Sequence, residues 1–82
     1  MIDLPLRAEV HCPDGVAGFF TYVIENPINQ QVTYLVVKSS WPPFQENLVS
    51  IGEVEETTSN RINLKCTRNE FEKLEPFVRV IL

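Results

Sequence analysis

The chain has 82 residues, 44% of them hydrophobic, with a formal net charge of −4 and two cysteines. That is one small globular domain of modest stability, too short for a second core. No apolar run approaches the ~20 residues of a membrane span, the acidic balance disfavours direct nucleic-acid binding, and two cysteines are too few for a disulfide scaffold.

The start, "MIDLPLRAEV", lacks a basic region followed by an apolar core, so no signal peptide is expected. A cytoplasmic setting and no membrane insertion follow as expectations. Leu6, Ala8, Val10 and Cys12 alternate with Arg7, Glu9 and His11, the period of a half-buried strand. "PDG" then turns the chain: Pro13 presets φ, Asp14 bonds its own backbone, and Gly15 accepts positive φ. Gly18 allows a bend where the second strand starts.

"FFTYVIEN" is apolar on both faces. Strict alternation puts Phe20, Tyr22 and Ile24 on one side, Phe19 and Val23 on the other. "NPINQ" turns. "QVTYLVVK" is again two-sided, with Val32, Tyr34 and Val36 against Leu35 and Val37. The prolines of "SSWPPFQEN" exclude helix and central strand, leaving an irregular loop. "LVSIGEVEETT" is extended, with a bend near Gly52, and "RINLKC" alternates with Ile62, Leu64 and Cys66 inward.

In "TRNEFEKLEPF" the period changes. Thr67 and Glu70 have capping-box spacing, Phe71 and Leu74 share a helical face, and Pro76 ends a helix of barely two turns. "FVRVIL" reads as a last strand. Five or six short strands of this kind remove their edges by curling into a barrel.

This order of motifs resembles the PRC-barrel family, named for the photosynthetic reaction centre H subunit and recurring at the C-terminal end of ribosome maturation factors. "PDGVAG" is similar to the family's Asp-Gly-x-x-Gly corner. "ENPINQQVTYLVV" is similar to its Asp-Pro turn and Val-x-x-Leu-Val-Val strand, with Asn26 in place of the usual acid. "NLVSI" stands where the family has a strand with Val-Pro, here Ser50. "INLKCTRNEFEKLEPF" is similar to its strand, short helix and exit. The resemblance implies an all-β fold: a small antiparallel PRC-barrel-like β-barrel of five or six strands with one short C-terminal helix, spanning residues 1–82 as a single domain and a module of a longer or tandem-domain protein. It also implies a non-catalytic protein–protein interaction or assembly role, the alternative being a ribosome-associated RNA-maturation accessory domain.

The residues themselves offer little chemistry. Gly15 and Gly18 lie between strands, with no lysine and no helix N-terminus, so they form a corner rather than a phosphate cradle. His11 is the only histidine and points away from Cys12, which leaves no metal ligand set. Ser39 and Ser40 lack an activating base. Glu53, Glu55 and Glu56 read as a solvated strand face around Val54. Neither catalytic residues nor a cofactor is expected. Cys12 and Cys66 read as two small, reduced core residues, with a Cys12–Cys66 bridge as the alternative.

Apolar surface remains. Strands two and three need cover on a second face, and either the helix, through Phe71 and Leu74, or a partner chain supplies it. The expected interface residues are Phe19, Trp41, Phe44, Val78 and Val80. The partner is a protein of unknown identity, with a weak homodimer, formed through the strand surface and the "WPPF" loop, as the form to test.

Overall fold

The computed structural model describes residues 8–77. Six strands form one sheet: β1 (Glu9–Cys12), β2 (Gly15–Glu25), β3 (Val32–Ser39), β4 (Glu46–Ser50), β5 (Val54–Thr57) and β6 (Arg61–Leu64). A 3-10 turn at Ile51–Glu53 joins β4 to β5, and helix α1 (Arg68–Glu72) follows β6. The strand order is β4-β3-β2-β1-β6-β5. The expected last strand, with Val78 and Val80, lies outside the described residues, as does Leu6.

The all-β expectation holds, but the sheet is not purely antiparallel. β1 runs parallel to β6, with Val10 opposite Ile62, while the other neighbouring strands are antiparallel. The reason is connectivity: β2, β3 and β4 form a meander on one side of β1, and the β5–β6 hairpin returns to its other side. Nor do the described strands close into a barrel, because β4 and β5 are the two ends of the sheet order. Each edge is protected differently. Exposed Glu55 and Glu56 charge β5. The chain leaving α1 pairs along β4, where the Leu48 amide donates to the Glu75 carbonyl and the Phe77 amide to the Glu46 carbonyl, each at 2.8 Å.

Two glycines fix the β1–β2 corner. Gly15 adopts φ +146° after the Pro13-Asp14 turn, a region that excludes side chains. Gly18 permits a close approach: a Cβ there would lie 1.8 Å from the Lys38 carbonyl oxygen. β2 begins at Gly15, so Gly18 lies inside the strand rather than before it.

The core collects the inward side chains of five strands and the helix: Val10, Phe20, Leu35, Val37, Val49, Ile62, Leu64 and Phe71 are buried together. Helix α1 is held by the expected capping box. The Thr67 hydroxyl accepts from the Glu70 amide at 3.2 Å, and the Glu70 carboxylate accepts from the Thr67 amide at 3.0 Å. This cap suits a helix too short to hold itself in water.

Candidate functional site: the outer face of the β2–β3–β4 hairpins

Register decides which side chains share a face. Across β2, β3 and β4, Phe19 stands opposite Lys38 and Glu46, Tyr22 opposite Val36 and Leu48, and Ile24 opposite Tyr34 and Ser50. Phe20 stands opposite Val37, and Val23 opposite Leu35. Phe20 and Val37 belong to the core, so the first three rows form the outer face.

This corrects the alternation expected for β2. Between Phe20 and Tyr22 the register slips by one residue, a β-bulge at Thr21. An extra residue reverses the phase of the strand. Phe19 therefore joins Tyr22 and Ile24 on the outer face, while Phe20 shares the other face with Val23, which lies beyond the core and is 39% exposed. The bulge is pinned by the Thr21 hydroxyl, 3.0 Å from the Val36 carbonyl and 3.1 Å from the Glu46 carboxylate. A second irregularity between Ile24 and Glu25 turns Val32 toward the core, against which it packs.

Among the described residues, no other element packs on the outer face, which carries several exposed aromatic rings. Phe19 is 47% exposed and Tyr34 42%, with Tyr22 similarly accessible, and all three flank a fully buried Val36. The helix does not cover this face, contrary to the expectation that Phe71 and Leu74 would. Phe71 is buried in the inner core and Leu74 packs against the same cluster. The Phe71 carbonyl also accepts from Asn47 Nδ2 at 3.1 Å, and Asn47 lies in the inner row of Phe20 and Val37.

The "WPPF" loop splits in two. Trp41 is half-buried and packs against the core. Its ring meets the Phe71 ring edge-on at 6.0 Å and 77°, and the Arg68 guanidinium lies 4.6 Å from its centroid. Trp41 thus works inside the molecule, through an aromatic pair and a cation–π contact. Phe44 is 51% exposed. Its φ of +57° and its amide bond to the Trp41 carbonyl at 2.8 Å hold it at the turn. The row of Phe19, Lys38 and Glu46 is the outer row nearest this loop, because Ser39 bonds Gln45 across its neck. Phe19 and Phe44 therefore sit at one end of the sheet. Tyr34 and Ile24 are not among the interface residues expected from the sequence. The signal for them was the two-sided apolar pattern, which could not be assigned to faces without the bulge.

The clefts carry no assembled chemistry. One of about 270 Å³ lies between Trp41, Pro42, Pro43, Asn47 and Phe71, with Glu72 the carboxylate on its wall. A shallower one lies beside His11, Glu55 and Glu56, where His11 Nε2 contacts the Glu9 carboxylate at 2.7 Å. Among the described residues, no group of three His, Cys, Asp or Glu is placed to hold a metal ion, and no helix is long and apolar enough to cross a membrane.

No family model matches the chain. A search of curated proteins returns no significant match.

Proposed function

We propose that this chain is a non-catalytic, cytoplasmic interaction module of PRC-barrel type that docks through the outer face of β2–β3–β4. One observation carries the reading: Phe19 and Tyr34 lie exposed on a sheet face that no other described element covers. Contiguous exposed apolar patches on small soluble domains mark interaction sites more often than not. The order of corner, hairpins, capped helix and an exit segment pairing along β4 supports the family type.

The first occupant to test is a second copy. A two-fold contact is self-complementary, and stacking the row of Phe19 and Lys38 on a neighbour's Glu46 would pair opposite charges around an apolar centre. Two or three aromatic rings per chain supply several kcal/mol at ~25 cal/mol per Å², and association entropy takes back much of it. A Kd in the micromolar range, near −8 kcal/mol, is the expected result. Sedimentation velocity across a concentration series tests it. Dimerisation near micromolar concentration, lost in Phe19→Ser with Tyr34→Ser, supports the reading. A monomer at ~100 μM rejects self-association, and a dimer indifferent to both substitutions moves the interface off this face.

A further inference from the structure

The two cysteines lie away from the docking face, and their placement is independent of it. Cys12 ends β1, and Cys66 follows β6 by two residues. β1 and β6 are parallel neighbours, and one step beyond the pair His11 and Asn63 Cys12 comes level with Leu64. Cys66, two residues past the end of β6, turns into the same core. Both thiols are free and each residue is only 6% exposed. Both belong to the one buried core cluster, and each thiol perturbs the ionisation of the other.

The pair is supported from both sides. The Arg68 amide donates to Asp14 Oδ1 at 2.9 Å, and the Arg68 side chain lies over Gly15, 3.2 Å from where a Cβ would stand. The corner after Cys12 and the helix start after Cys66 are therefore tied together whatever the sulfurs do. A cleft of about 180 Å³, lined by His11, Cys12, Pro13 and Asn63, opens on the Cys12 side. It admits a small molecule rather than a protein.

We propose that Cys12 and Cys66 form a reversible disulfide site, oxidised by a small peroxide, whose bond clips β1 to the connection between β6 and α1. In the first step the thiolate of Cys12, the sulfur that lines the cleft, attacks one peroxide oxygen. The O–O bond breaks, Cys12 becomes a sulfenic acid, and hydroxide leaves to take up a proton as water. In the second step the Cys66 sulfur attacks the Cys12 sulfur. The S–O bond breaks, and the departing oxygen takes the Cys66 proton and leaves as water. Two thiols and one peroxide thus give one disulfide and two waters. The sulfurs lose two electrons and the O–O bond gains them.

The environment sets the pace. Burial chiefly, then Cys66 and Asp14, push the Cys12 thiol up to about 12, against a small opposing effect of Arg68. Burial and then Glu53 also raise Cys66, with Glu70 adding to it and Cys12 opposing. Access sets the order: Cys12 lines the cleft and Cys66 does not, so Cys12 reacts first. Oxidation is slow at neutral pH and quickens as pH rises, since the thiolate is the nucleophile.

The test uses the full, reduced chain incubated with hydrogen peroxide, then denatured and alkylated for intact-mass measurement. The expected product is a monomer that has lost two hydrogens and takes up no alkyl group. Dithiothreitol restores both thiols, and the urea midpoint of the oxidised form lies above that of the reduced form. In Cys66→Ser, Cys12 is expected to accumulate as a sulfenic acid that dimedone captures. The proposal is overturned if both thiols survive peroxide in the folded chain, if the disulfide joins two chains, or if one cysteine proceeds to a sulfinic acid while the other stays free.

Discussion

Phe19 and Phe20 are neighbours in sequence, yet they belong to different regions of the molecule. The inner face of β2–β3–β4 is closed by α1, and Phe20 there is 1% exposed. The outer face uses the same three strands and the same kinds of residue, and nothing described packs on it. A strand apolar on both sides is ordinary where layers cover both. Among the described residues one layer is present. The difference teaches that hydrophobicity in this chain serves two ends, cohesion on one face and contact on the other, and that a single bulge at Thr21 sets which aromatic serves which.

The comparison breaks most visibly on the inner side. Phe71→Ala removes the ring that closes the core and meets Trp41, and should cost about 3–5 kcal/mol. Urea denaturation would check it, and a loss below about 1 kcal/mol would mean that the helix is not the inner lid. Deleting Thr21 probes the bulge itself. Removing the extra residue leaves Phe19, Tyr22 and Ile24 on the outer face and Phe20 in the core, so the faces survive. The expected loss is about 2 kcal/mol for the hydroxyl contacts and local twist, with β-sheet circular dichroism retained. Deleting Val36, where no bulge absorbs the change, should exchange the faces of β3 and prevent folding.

Smaller effects sharpen the contrast. Thr67→Ala should cost about 1 kcal/mol through the lost cap. Phe19→Ser and Tyr34→Ser should shift stability by no more than about 0.5 kcal/mol while abolishing association, the reverse of Phe71→Ala. The smallest effect is on pH. The Thr67 amide, and then its hydroxyl, hold the Glu70 carboxyl below its ordinary value of 4.5. A carboxyl depressed on folding stabilises above its unfolded value, and that contribution is lost as pH falls through the folded one. Glu70→Gln should therefore flatten the decline in urea midpoint below about pH 4.5.

Much of the fold is legible in the sequence where local rules act alone. The Pro13-Asp14-Gly15 corner, the loop at "WPPF", the break near Gly52 and the capping box at Thr67 each depend on a few adjacent residues, and each is found where expected. What the sequence hides is whatever two distant segments decide together. The bulge at Thr21 arises from the fit of β2 to β3, so alternation placed Phe19 on the wrong side relative to Tyr22. The parallel pairing of β1 with β6 depends on which edge is free when the chain returns. Trp41, surrounded in sequence by prolines and serines, looks like a surface residue because Phe71 and Arg68 reach it from far along the chain. Of the expected contact residues, Phe19 and Phe44 stand exposed, and Val78 and Val80 lie outside the described residues.

The parallel pair of β1 and β6 also orders events in time. β2, β3 and β4 are joined by short turns and can assemble from contacts close in sequence. β1 gains its second neighbour only when residues from opposite ends of the described chain meet, Val10 with Ile62. The entropy of closing that long loop must be met before the pairing returns anything. Folding should accordingly begin in the β2–β3–β4 meander and reach its barrier at the docking of β6 and the capped helix. Substitutions at Ile62 should then slow folding, while those on the outer face of the meander leave its rate unchanged.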